Sequence, residues 1–146
     1  MIPTTIQELS QIIDLSTSHL KLIDEQTYTH KESPEKWSKK EILGHLIDSA
    51  SNNHRRFLLA QFEVNPIIFY DQDKWCKYNH YQVAPTQQLI DLWSALNKQL
   101  VHLWTNLTDE DFQRRANDQT LAFLAADYNS HLAHHLNQIT GYIYLN

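Results

Sequence analysis

Apolar residues recur at helical spacing in four stretches of the chain. In the first, Ile6, Leu9, Ile13, Leu20 and Ile23 share one face, and Thr4 or Thr5 after Pro3 can cap the start, so a helix is expected from about residue 5 to 29. Residues 29 to 37 are polar and contain Pro34, and they read as a connection. Ser38 and Glu41 then stand at the spacing of a capping box, opening a second helix that ends near Phe62, before Asn65-Pro66. Its inward positions are Ile42, His45, Leu46, Ser49, Asn52 or Asn53, and Arg56, so a polar stripe runs beside the apolar one.

Residues 65 to 85 carry Pro66, Pro85 and the aromatic residues Phe69, Tyr70, Trp75, Tyr78 and Tyr81 without a sustained period, the pattern of a long crossover connection. Thr86 is placed to cap a third helix, whose stripe of Leu89, Trp93, Leu96, Leu100, Leu103 and Leu107 is core. Thr108-Asp-Glu-Asp111 reads as a capped short turn. From about Gln119, Leu121, Leu124, Tyr128, Leu132, His135, Ile139 and Tyr142 step by three or four along a fourth helix. Four long helices and one long connection, without repeats or low-complexity tracts, make an all-α bundle in one domain, residues 1 to 146.

The 146 residues carry 12 Lys or Arg against 17 Asp or Glu, a formal charge of -5, which sets repulsion between this chain and a phosphate backbone or anionic lipid. Nucleic acid and membrane are therefore poor partners, and a small molecule is the expected one. No window approaches the ~18 apolar residues of a membrane span, and the start MIPTTIQELS lacks the pattern of a secretory leader. The single cysteine, Cys76, cannot form an internal disulfide; with the absent leader it suggests a cytoplasmic protein.

Nine histidines are the compositional anomaly. His131 and His135 lie four apart, on one side of the fourth helix, where two imidazoles can share an ion. His45 is the other histidine standing mid-helix on a polar inward face, and it is the candidate third ligand. Against this stands the fact that H-x-x-x-H arises readily by chance in so histidine-rich a chain. His134 points about 100° away from His135 and is read as a surface residue, while His19, His30, His54, His80 and His102 lack partners at ligand spacing. Three neutral imidazoles suit zinc, nickel or iron(II) and leave a coordination position open for water or substrate. Asp48 and Asp127, each one turn from a proposed ligand, are candidates to orient a ring or act as a base, although a solvated carboxylate is the alternative for both. Asn52, Asn53, Arg56 and Gln138, a turn or two from the ligands, are candidate contacts to a cofactor or substrate.

The run Lys36-Trp-Ser-Lys-Lys-Glu-Ile-Leu-Gly-His-Leu-Ile-Asp-Ser-Ala-Ser-Asn-Asn-His-Arg-Arg-Phe57 resembles the first metal motif of the DinB/YfiT-like superfamily. Leu121 to Ile139, with Asp127-Tyr128 and His131-Leu-Ala-His-His-Leu-Asn-Gln-Ile139, is similar to its second motif, and Tyr70-Asp71 with Trp75 fits the region between. The resemblance implies an up-down-down-up four-helix bundle with a long crossover between helices two and three, and a metal held by His45, His131 and His135. It also implies either a metal-dependent hydrolase or an S-transferase that uses a low-molecular-weight thiol such as bacillithiol or mycothiol, and the thiol-dependent transferase is the leading expectation. A non-enzymatic protein whose metal clips two helices together is the reading from another class. Cys76 departs from the family pattern, standing where an apolar residue is expected after the tryptophan of the middle region. The aromatics of the crossover either support a homodimer or pack on their own bundle.

Overall fold

A computed structural model describes residues 1–146. Four long helices carry the molecule: α1 (Ile2–Lys21), α3 (Lys39–Leu59), α5 (Thr86–Thr105) and α7 (Leu121–Thr140). Between them lie the short helices α2 (Glu25–Thr29), α4 (Gln72–Tyr78) and α6 (Asp109–Gln113), and a two-residue hairpin of β1 (Arg115–Ala116) and β2 (Gln119–Thr120). The expected first helix is thus divided. The carboxylate of Asp24 accepts from the Thr27 backbone N–H at 2.7 Å, capping a new helix and ending the old one three residues earlier.

Two further expectations are corrected at helix starts. α1 begins at Ile2, so Thr5 lies inside it and its hydroxyl donates to the Met1 carbonyl instead of capping. Thr86 is the first residue of α5 and donates to Glu25 at 2.5 Å, leaving Pro85 as an N-cap without a side-chain bond. The capping boxes at Ser38/Glu41 and Thr108/Asp111 form as their spacing predicts. Thr120 caps α7 by accepting from the Phe123 N–H at 3.1 Å.

Hydrogen bonds between the connections fix the direction of every long helix. Lys40, 3% exposed at the start of α3, pairs with Glu25 just beyond α1 and donates to the Ala84 carbonyl just before α5 at 2.9 Å. The end of α1 and the starts of α3 and α5 therefore share one end of the bundle. At the other end, Asn65 beyond α3 donates to Asp118 at 2.8 Å, and the Asn117 N–H donates to the Pro66 carbonyl at 3.0 Å, two residues ahead of β2 and the start of α7. The order is up-down-down-up, and the crossover from Ala60 to Pro85 is long because it must travel the length of the bundle. α1 and α3 each pack against both α5 and α7, so they stand diagonally across a core containing Leu9, Leu43, Phe57, Trp93, Leu100, Trp104 and Leu132.

The crossover has more order than its lack of period suggests. Asp71 caps α4, whose seven residues are too few to show periodicity, and a 3-10 turn at Tyr81–Val83 follows. The polar segment after α6 is the hairpin, closed by Asn117 and Asp118, both at positive φ (50° and 64°). That is the geometry of a type I′ turn, which Asn and Asp tolerate. No helix is long and apolar enough to cross a membrane.

Tyr81 lies on α3 at Gly44, where a Cβ would sit 2.2 Å from a ring carbon and 2.3 Å from the carbon that joins the ring to its stem. Neither atom can swing aside without lifting the crossover. Gly44→Ala is expected to cost about 2–3 kcal/mol, the upper part of the overpacking range, lowering the melting temperature by several degrees. Gly141→Ala, at φ 79° with no atom within 4 Å of the new methyl, carries only left-handed strain of about 1 kcal/mol. Equal losses in the two variants, read from thermal melts, would show that the contact at Gly44 does not constrain the fold.

Candidate metal centre

The capping box at Ser38 sets the phase of α3, and the Thr120 cap sets that of α7. Because these helices are neighbours, His45 from one faces His131 and His135 from the other. Ring centroids are 5.4 Å apart for His45 and His131, 5.0 Å for His45 and His135, and 4.5 Å for His131 and His135. One nitrogen from each ring falls within 4.8 Å of the others. The Nε2 atoms of His131 and His135 approach to 3.1 Å, close to the ~3.3 Å separating two nitrogens of a tetrahedral zinc site with bonds of about 2.0–2.1 Å.

The electrostatics suit a cation. His45 is 2% exposed, and its Nδ1 is buried with no hydrogen-bond partner. Burial, then the neighbouring rings, pushes His45 down to about 4, and burial followed by His135 does the same to His131. His135 is lowered by burial and held back by Gln138. All three rings are therefore neutral near pH 7, the form that donates a lone pair to a metal. Gln138 Oε1 accepts from His135 Nδ1 at 2.8 Å, which assigns the proton to Nδ1 and turns the Nε2 lone pair toward the cluster. Trp37 covers His45 with ring centroids 5.0 Å apart. An unpartnered buried nitrogen and three converging neutral donors fit a divalent ion.

His134 is exposed and stands outside the cluster, as its phase on the helix predicts. Asp48 does not touch an imidazole. It is 2% exposed, accepts from the Tyr81 hydroxyl at 2.5 Å and from Asn79 at 3.3 Å, and burial raises it to about 6 despite the Tyr81 bond. Its bonds tie the crossover to α3. Asn52 is likewise buried and donates to the Asp48 carbonyl at 2.9 Å. Cys76 contacts Glu41 of α3 and is not among the converging donors, with burial first and then Glu41 and Asp48 pushing the thiol up to about 12.

One recess opens on the histidines, and a second lies beyond Trp37 and Gln138, the neighbours of His45 and His135. One, of about 190 Å³, is lined by His45 and His131 together with Asn53, Arg56 and Asp127 from the expected set. Ser49, Tyr70, Gln72, Leu124 and Tyr128 complete it. The other, of about 600 Å³, is bordered by Gln138 and Trp37 and by polar residues of the α1–α3 connection, including His30, Lys36 and Lys39. The reading of the sequence missed Trp37 as a neighbour of His45, and it took Tyr128 only as a core position and Tyr70 only as part of an aromatic loop. The placement of Tyr70 depends on the path of the crossover, which no helical period encodes.

A family model for the DinB superfamily matches residues 8–139. Proteins from Bacillus cereus strain B4264 and Bacillus anthracis strain CDC 684 are each 30% identical to this chain over 147 residues, covering 97% of it and 84% of the relative, and each bears the name "Putative metal-dependent hydrolase". The solved structure of YfiT from Bacillus subtilis, described as an unusual four-helix bundle topology, superposes with a TM-score of 0.86 at 24% identity, over 96% of this chain and 84% of that one. That likeness speaks for the fold, and the match along nearly the whole chain speaks for descent. The chain belongs to the DinB superfamily.

Proposed function

We propose that this protein is a metal-dependent enzyme that joins a low-molecular-weight thiol to a small electrophile. The observation that carries the reading is the three-histidine cluster opening, through His45 and His131, on a polar recess of about 190 Å³ that a small molecule can enter. His45, His131 and His135 hold the ion, zinc or nickel first and iron(II) next by ligand chemistry. A divalent ion bound there supplies Lewis acidity, which lowers the pKa of a thiol or water beside it. The chain's own thiol does not serve: Cys76 is buried, stays protonated near neutral pH and is not among the converging donors. The nucleophile accordingly comes from a separate molecule.

Hydrolysis is the second reading, favoured by the name of the relatives at 30% identity. In it Asp127, exposed at the smaller recess, takes the proton from water. The two part on one assay. Zinc-loaded protein given bacillithiol or mycothiol with monochlorobimane is expected to form the conjugate, and His45→Ala is expected to lose it. Conjugation with neither thiol, alongside ester hydrolysis that disappears in His45→Ala, would replace the transferase by the hydrolase.

Metal binding itself is testable by titration against a chromogenic chelator. His45→Ala and His131→Ala should weaken zinc by more than about 100-fold, and Gln138→Ala, which removes only the partner of His135, by about tenfold. Protons compete for the same lone pairs. Since burial lowers all three rings, to about 4 for His45 and His131, affinity should begin to fall at a lower pH than it would for unperturbed imidazoles, which lose metal from near 6.5. The metal-free fold follows the same sign: its rings bind fewer protons than the unfolded chain between about 4 and 6.5, so stability is full above that window and declines as pH drops through it. Affinity that falls already at pH 6.5 would place the rings in water rather than in the bundle.

A further inference from the structure

We propose that the Arg56 guanidinium receives a carboxylate of a small organic-acid substrate in the recess beside the histidine cluster. The inference rests on the reading of that recess as a substrate site and names the chemical class it takes.

Arg56 is a half-buried cation without a carboxylate partner: the ion pairs of the molecule join Lys31 to Glu41, Lys36 to Glu32, Lys40 to Glu25 and Arg114 to Asp111. Its contacts are all to neutral oxygens. Nε and Nη2 donate to the Ile68 carbonyl at 3.3 Å and 2.7 Å, and Nη1 donates to Asn53 Oδ1 at 3.3 Å. A guanidinium has five N–H donors, so two are left for a ligand, and a planar fork with free donors matches a carboxylate. A charge withdrawn from water is ordinarily paired. Here burial lowers the Arg56 pKa, and the recess is the side from which a counter-charge can enter.

The guanidinium is also held firmly. The Ile68 carbonyl that it grips accepts from Asn117 Nδ2 at 2.9 Å, and the Ile68 N–H donates to Asn117 Oδ1 at 2.7 Å, so the β-hairpin clamps the crossover at the point where Arg56 meets it. The arginine therefore reaches the recess from a fixed frame made by the Ile68 carbonyl and Asn53. Ser49, Asn53, Tyr70 and Gln72 add polar groups around the same space. A volume of about 190 Å³ equals roughly six waters at ~30 Å³ each, which suits a short-chain acid rather than a peptide or nucleotide. Asp127 at the exposed side is the one carboxylate lining this space, and it disfavours a second anion at the mouth. The carboxylate end is thus directed to Arg56 and the rest of the molecule to His45 and His131.

The test is binding of butyrate against its neutral isostere butyramide to the zinc-loaded full-length protein, followed by calorimetry and by the Arg56 Nε–H resonance. Butyrate is expected to bind and to shift that resonance, butyramide to bind at least about tenfold more weakly, in line with charge-assisted hydrogen bonds. Arg56→Gln should lower butyrate affinity by about tenfold or more and Arg56→Lys by less, with zinc affinity unchanged in both. Equal binding of acid and amide to the unaltered protein, or butyrate affinity unchanged in Arg56→Gln because the carboxylate ligates the metal alone, would overturn the proposal. Neither readout uses a thiol, so loss of the transferase reading leaves this result standing, and the reverse holds as well.

Discussion

Tyr81 rests on the backbone of Gly44 and donates its hydroxyl to Asp48, and the geometry of the site depends on that contact. The up-down-down-up order obliges the chain to return from the far end of α3 to the start of α5, across a face that carries His45 and Asp48. Without an anchor this return would be a loose loop over a polar stripe. The absent side chain at residue 44 lets an aromatic ring approach the helix axis, and the buried carboxylate one turn on accepts its hydroxyl, so the crossover is held by both packing and a hydrogen bond. Asp48 bears the cost, since burial favours its protonated form. What results is a roof from which Tyr70 and Gln72 reach the space beside the histidines.

Burial raises Asp48 under the crossover and lowers His45 and His131 between α3 and α7, and the two effects have one physical origin: withdrawal from water disfavours charge of either sign. For imidazoles this keeps the lone pairs available. Neighbouring rings add to the effect of burial: His135 and His131 lower His45, and His135 lowers His131. The polar groups that remain exposed to the recess are accordingly neutral, apart from Arg56 inside and Asp127 at the exposed edge.

Much of this was legible in the residues. The Ser38/Glu41 box, the helical stripes and the pairing of His131 with His135 follow from spacing, because a rigid period carries phase over many turns, and His45 joins them through its polar inward face and the family resemblance. The split at Asp24 was not legible, since Ile23 continued the apolar stripe while a side-chain cap overrode it. Nor was the hairpin at Asn117-Asp118, which two residues of strand on each side cannot announce through alternation. The role of Asp48 was misplaced for a similar reason: its position one turn from His45 is visible in the sequence, but its partner Tyr81 lies 33 residues away along an aperiodic path. Short-range pattern locates candidate ligands borne on helices and loses whatever the crossover contributes.

α3 also sets the scale of the site. His45, Ser49, Asn53 and Arg56 fall at intervals of four, four and three, one continuous face of a single helix. Eleven residues at 1.5 Å each separate the Cα atoms of His45 and Arg56 by about 16 Å along the axis. Helical side chains lean toward the N-terminus, and arginine is the longest of them, so its guanidinium is carried back toward His45 by much of that distance. The gap between the histidine cluster and the cationic end of the recess is therefore fixed by helix geometry, not by loops that can adjust. A ligand that spans the two must match it, and the small volume above this face admits only a short one.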